Sequence, residues 1–204
     1  MPMTRETPPG RDAPAADPDV RLMLAFKHGD PAAFEELLRR HFRGVLNFVY
    51  RFIGRRDIAE ELTHEVFIKV YRSTAGYEPR AHFRTWLFTI AKRVCLNELR
   101  RRSHDELSLE AMESSSADRG RAALPDPSPP AEEDLIRRER TAAVRAAIEE
   151  LPETQRLAVI LRRYEGFSYE EIAAALEISE KAVKSLLSRA RERLRQTLAP
   201  WVEK

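Results

Sequence analysis

The sequence predicts an all-α chain: two small helical domains joined by a flexible acidic linker. Three observations carry this. Apolar residues recur with a period near 3.6, and no stretch alternates convincingly with period two. Capping signals for helix starts recur along the chain. Residues 104–131 combine Ser and Pro clusters with several acids and no sustained apolar period, the signature of a disordered linker. The first 16 residues have the same character, which leaves domains at 17–103 and 132–202.

Taken in order, Asp17-Pro18 and Asp30-Pro31 each place a capping carboxylate before a proline suited to the first helical position. Gly29 suits the stop between those two helices, and Gly54 ends the second. Asp57 with Glu60 has capping-box spacing and predicts a helix over 57–72. Its inner stripe is Ile58, Leu62, Val66 and Val70, so Asp57, Glu61, His64, Glu65 and Ile68 face outward. A loop over 73–82 follows, carrying Tyr77, Pro79, Arg80 and His82.

The next helix, over 83–102, should bury Phe83, Trp86, Leu87, Ile90 and Val94. Lys92, Arg93 and Arg100 then share another face, with Thr85 and Thr89 beside them. An aromatic ring among cations suits stacking on an unpaired base, and a basic helix suits the neighbouring backbone. The same residues also admit a plainer reading, in which Tyr77 packs the loop and Phe83 and Trp86 are simply core.

In the second domain, Ser168 with Glu171 opens a short helix, GFSYEEIAAAL, which the turn Glu177-Ile178-Ser179 separates from a longer basic helix starting near Glu180. This is a helix-turn-helix layout. Val183, Leu187, Ala190 and Leu194 form the buried stripe of the second helix, with Leu186 at its edge. Lys181, Lys184, Ser185, Ser188 and Arg189 lie opposite, a set of cations and short hydroxyls suited to phosphates and base edges in a major groove. Glu177 stands where many such turns use glycine.

Charge is segregated along the chain. Residues 22–105 carry 16 basic and 10 acidic side chains, residues 106–134 carry 2 and 8, and residues 135–204 carry 14 and 11. Two basic blocks around an acidic strap suggest two domains facing nucleic acid. No apolar run approaches the roughly 20 residues of a membrane span, and the N-terminus lacks the apolar centre of a secretory signal, so a cytoplasmic location without membrane insertion is expected. Cys95, the one cysteine, lies in an apolar helical stretch and is expected to be a small buried side chain. The five histidines show no metal-ligand spacing, and the seven glycines lie too far apart for a phosphate loop. No nucleophile and base can be paired, and neither metal nor cofactor nor catalysis is expected.

The order of parts resembles the extracytoplasmic-function sigma factors of the sigma-70 superfamily. The likeness runs through GDPAAFEELLRRHFRGVLNFVYRFIG, DIAEELTHEVFIKVYRS and FRTWLFTIAKRVCLNELRRR in the first domain. In the second it runs through LPETQRLAVILRRYEGFSYEEIAAAL and EISEKAVKSLLSRARERLR. It implies a sigma-2-like bundle that docks on RNA polymerase and binds the minus-ten element, and a sigma-4-like helix-turn-helix domain for the minus-thirty-five element. By the same likeness, Asp57, Glu61, His64, Glu65 and Ile68 meet the clamp helices of the largest polymerase subunit, and the second domain meets the flap of the second-largest.

Tyr77, Arg80 and His82 would hold an extruded base, with Lys92, Arg93, Asn97, Arg100 and Arg101 along the strand and the duplex edge. Lys184, Ser185, Ser188 and Arg189 would read the minus-thirty-five duplex, with Lys181 and Arg191 on phosphates. His64 departs from the glutamine common at its position, and Leu186 from a frequent arginine. The family also implies an anti-sigma partner. The alternative is a helix-turn-helix regulator that acts on duplex DNA without polymerase, which leaves the first domain's docking helix and basic loop unexplained.

Overall fold

The computed structural model describes residues 16–110 and 132–202, all of whose regular structure is helical. Helices α1 (Pro18–Lys27), α2 (Pro31–Ile53) and α3 (Arg56–Arg72) are followed by a short 3₁₀ turn, Thr74–Gly76, and by α4 (Phe83–Glu110). The second half contains α5 (Glu132–Glu149), α6 (Glu153–Arg163), α7 (Tyr169–Leu176) and α8 (Glu180–Val202). The residues expected to be unstructured at 1–15 and 111–131 lie outside the described part.

The caps explain most of the boundaries. Asp17 Oδ1 accepts from the Asp19 amide at 2.9 Å and Asp30 Oδ1 from the Ala32 amide at 3.0 Å, each satisfying a donor that the first turn leaves free. Gly54 ends α2 in the left-handed conformation, φ 80°, and its amide donates to the Tyr50 carbonyl. Ser168 and Glu171 form the reciprocal capping box of α7.

Two boundaries differ from the sequence reading. Helix α3 starts at Arg56, with Arg55 rather than Asp57 at the cap position and no side-chain cap bond. The left-handed Gly54 turns the chain early, which puts Asp57 inside the first turn, where its charge complements the helix dipole and pairs with Arg55 at 2.6 Å. Helix α4 continues to Glu110, seven residues into the expected linker. No glycine or proline interrupts the chain between Phe83 and Gly120, and Glu106, Leu107, Leu109 and Glu110 are good helix formers.

Helices α1 to α4 enclose a core of Val20, Met23, Leu37, Val45, Phe48, Val49, Phe52, Leu62, Val66, Val70, Phe83, Leu87 and Val94. Cys95 is fully buried there, and desolvation pushes its thiol far above the ordinary range, so it is an apolar filler. Leu157, Ile160, Leu161, Phe167, Ile172, Ala175 and Val183 fill the second half.

These apolar groups form one continuous cluster rather than two separate cores. Helix α4 packs on α7, and α2 on α6. At the seam Phe88 sits edge-on between Phe48 and Phe167, with ring centroids 5.1 and 5.2 Å away. Each such buried ring contributes roughly 1.5–3 kcal/mol of transfer free energy. Polar contacts flank them. Arg84 reaches Glu165 at 2.9 Å and lies over the Phe167 ring, Arg51 lies over Tyr164, and Arg156 donates to the Phe52 carbonyl at 3.1 Å. The chain therefore holds its two halves closed on each other.

Candidate nucleic-acid interface

The loop after α3 is anchored by residues at both ends of α1. Lys27 Nζ donates to the Tyr77 carbonyl at 2.9 Å. Asp17, already the α1 cap, also accepts from the Phe83 amide at 2.9 Å, and its other contact is His82 Nδ1 at 3.3 Å. One carboxylate thus fixes the starts of α1 and α4 together. Arg80 remains exposed beside Glu78, 2.7 Å away.

Tyr77 is buried, its ring edge-on to Trp86 with centroids 4.8 Å apart. Burial pushes its hydroxyl up to about 12, and that oxygen has no hydrogen-bond partner among the described residues. In this closed state Tyr77 packs the loop, the plainer of its two sequence readings, and its ring does not stand open for a base. Beside it lies a cleft of about 720 Å³ whose walls include Arg72, Tyr77, Arg80, Thr85 and Trp86. Ala174 of α7 contributes to the same wall, so the second half of the chain partly closes the cleft.

The cationic face of α4 divides in two. Asn97 and Arg100 are exposed. Arg101 is held to the buried Glu98 carboxylate at 2.9 Å, and hydrogen bonds from Arg101 and then Arg102 hold the pKa of that group below its ordinary value. Lys92 departs most from expectation: it is 6% exposed, with Nζ 2.9 Å from Glu177. Arg93 donates to the other oxygen of the same carboxylate at 2.6 Å. Glu177, which stands where many such turns use glycine, is therefore the partner of two proposed strand contacts. Glu177 takes the left-handed conformation, φ 61°, the one residue other than glycine to do so among the described residues.

The cationic face of α8 is open. Ser179 accepts from the Ala182 amide at 3.2 Å and caps the helix. Val183 and Ala190 are fully buried and Leu186, Leu187 and Leu194 half-buried, while Lys181, Lys184, Ser185, Ser188, Arg189 and Arg191 are exposed. Arg189 bends back to the Ser185 hydroxyl at 2.9 Å, so two of the proposed readers are hydrogen-bonded to each other. On α3, Asp57, Glu61, His64, Glu65 and Ile68 all face solvent, and Ile68, 49% exposed, adjoins the exposed Tyr71. An apolar pair on an acidic face suits a docking surface better than water.

Residues 37–104 match sigma-70 region 2, and residues 141–194 match sigma-70 region 4. The sigma-H factor of Pseudomonas aeruginosa is 33% identical over 186 residues, covering 89% of this chain and 94% of that protein. The extracytoplasmic-function sigma-E factor of Escherichia coli is 32% identical over 188 residues, covering 91% and 97%. The chain belongs to the sigma-70 family, in its extracytoplasmic-function branch. Among solved structures, this sigma factor resembles RpoE of Bartonella quintana, crystallised with the anti-sigma factor NepR. The identity is 25% and the TM-score 0.63, covering 81% of this chain and 96% of that one. It shares its fold with CnrH, seen in complex with the cytosolic domain of CnrY, at 22% identity and TM-score 0.65, with 90% and 99% covered. Both helical halves of the sigma factor fall within these likenesses, which disfavours a stand-alone helix-turn-helix regulator.

Proposed function

We propose that this sigma factor binds core RNA polymerase, directs it to promoters with two spaced elements and helps open the minus-ten region. The observation that carries the reading is that both sigma-70 regions occur in order on one chain, each bearing a cationic helix. The domains are assigned as 17–103 for docking and the minus-ten element and 132–202 for the minus-thirty-five element.

On this reading the α3 face, centred on Ile68 with Asp57, Glu61, His64 and Glu65 around it, docks on the clamp helices, and the second domain meets the flap. Lys184, Ser185, Ser188 and Arg189 read the minus-thirty-five duplex while Lys181 and Arg191 neutralise phosphates. Tyr77, Arg80 and His82 take an extruded base once the cleft opens, and Lys92, Arg93, Asn97, Arg100 and Arg101 track the strand. Strand opening is stabilised by capture of bases, with no covalent step and no turnover.

An anti-sigma factor is a further proposed partner, by analogy with the Bartonella quintana complex. No helix among the described residues is long and apolar enough to cross a membrane, and action in the cytoplasm is proposed.

The test is core binding. Ile68→Glu places a charge at the centre of the proposed apolar contact and should weaken binding to fluorescent core polymerase by about tenfold or more while leaving helicity unchanged. Unchanged core affinity would remove α3 as the docking face.

A further inference from the structure

We infer that Glu177 is an internal substitute for a DNA phosphate, latching the second domain over the strand-binding face of the first. The inference rests on the proposed reading of Lys92 and Arg93 as strand contacts.

Four observations converge. Glu177 occupies a left-handed turn that glycine would take without steric cost, so the turn itself gives no reason for a glutamate. Its two oxygens are divided between Lys92 at 2.9 Å and Arg93 at 2.6 Å, across a sequence separation of about eighty residues. Lys92 is nearly sealed from solvent, with 7% of its side chain exposed, and a buried ammonium needs a countercharge. Ala174, on the short helix that Glu177 ends, forms part of the wall of the cleft beside Tyr77. The two cations that would bind a strand and the cleft that would receive its base are thus engaged by one element.

A carboxylate and a phosphate diester present similar anionic oxygens to an ammonium and a guanidinium. The two cannot hold Lys92 and Arg93 together, so strand binding and domain closure compete. The apolar seam at Phe48, Phe88 and Phe167 and the Glu177 pair together hold the halves closed, so loss of the pair shifts the balance towards the open form. A chain that must break this contact before it binds a strand has its apparent affinity lowered by the fraction that is open.

The test uses the full chain with two variants, Glu177→Gly, which suits the turn, and Glu177→Gln, which keeps the side-chain length. Glu180→Gln serves as a control that removes a nearby carboxylate and leaves the latch in place. Anisotropy with a labelled single-stranded oligonucleotide of randomised sequence gives strand affinity. Small-angle scattering gives the radius of gyration, and circular dichroism verifies folding.

Both Glu177 variants should bind the oligonucleotide about five- to tenfold more tightly and scatter as larger particles, with the control unchanged. Unchanged affinity and size would overturn the latch. So would tighter binding without expansion, or an equal gain from Glu180→Gln, since either would reduce the effect to removal of a nearby negative charge. Expansion without tighter binding would overturn Lys92 and Arg93 as strand contacts, and autoinhibition with them.

Discussion

The cationic faces of α4 and α8 look alike in sequence and differ in state. Both are helices with an apolar stripe on one side and Lys and Arg on another. On α8 the cations stand in solvent, so on the proposed reading the helix meets duplex DNA without rearrangement. On α4, Lys92 and Arg93 are both paired with the Glu177 carboxylate, and the adjoining cleft shares a wall with α7. The difference teaches that a helix's face is local information, whereas its availability depends on what the rest of the chain brings to it. It also suggests an order of events, in which duplex recognition needs no rearrangement and strand capture needs the domains to part.

The largest expected way to break this contrast is at the seam. Phe88→Ala removes the ring between Phe48 and Phe167 and should cost about 3–5 kcal/mol in chemical denaturation. It should also raise the exchange rate of α7 amides. A loss below about 1 kcal/mol would mean that the halves are not held together at this ring.

Next comes the open helix. Arg189→Ala should cost about 1–3 kcal/mol of minus-thirty-five duplex affinity and relax the preference at one base position, whereas Lys181→Ala should weaken all sequences alike. A binding profile over randomised duplexes checks this, and an unaltered profile for Arg189→Ala would remove its base contact. Neither change should alter the α4 face.

Smaller still is the capping box that fixes α7, the helix leading into Glu177. Ser168→Ala loses the bond to the Glu171 amide and should destabilise the chain by about 1 kcal/mol. Thermal denaturation would show it as a modest fall in Tm, accompanied by somewhat tighter strand binding as α7 loosens.

The smallest effect concerns acid. Hydrogen bonds from Lys92, then Arg93, lower the pKa of Glu177 below its ordinary 4.5. A depressed carboxylate contributes stability that is complete above its unfolded value and disappears as pH falls through the folded one. The other seam carboxylate, Glu165, has the opposite sign: burial raises its pKa despite Arg84, so protonation relieves it. Stability measured from about pH 6 down to about pH 3 should therefore fall less steeply in Glu177→Gln than in the parent. Parallel curves would show that the pair contributes nothing to closure.

Much of the architecture was legible because it is local. Asp17, Asp30, Gly54 and Ser168 mark boundaries through hydrogen bonds or dihedral angles within a few residues of themselves. The α8 stripe was legible for the same reason. Asp57 misled because its capping-box spacing was satisfied on paper while Gly54 had already turned the chain.

Phe88 and Phe167 could be read as apolar but not as partners, since periodicity gives a face without saying what covers it. Lys92 went the same way, because a lysine off the apolar stripe looks solvated until a carboxylate from another domain lies on it. The one sequence signal was Glu177 in a glycine's place, and its meaning depends on a contact that spacing along the chain does not encode.

The most direct test of the whole account is transcription by purified core polymerase from a library with both promoter elements randomised. Transcripts should appear only when this chain is added, from templates sharing two elements at a fixed spacing. Transcription without the chain, or none with it despite intact folding, would contradict the account.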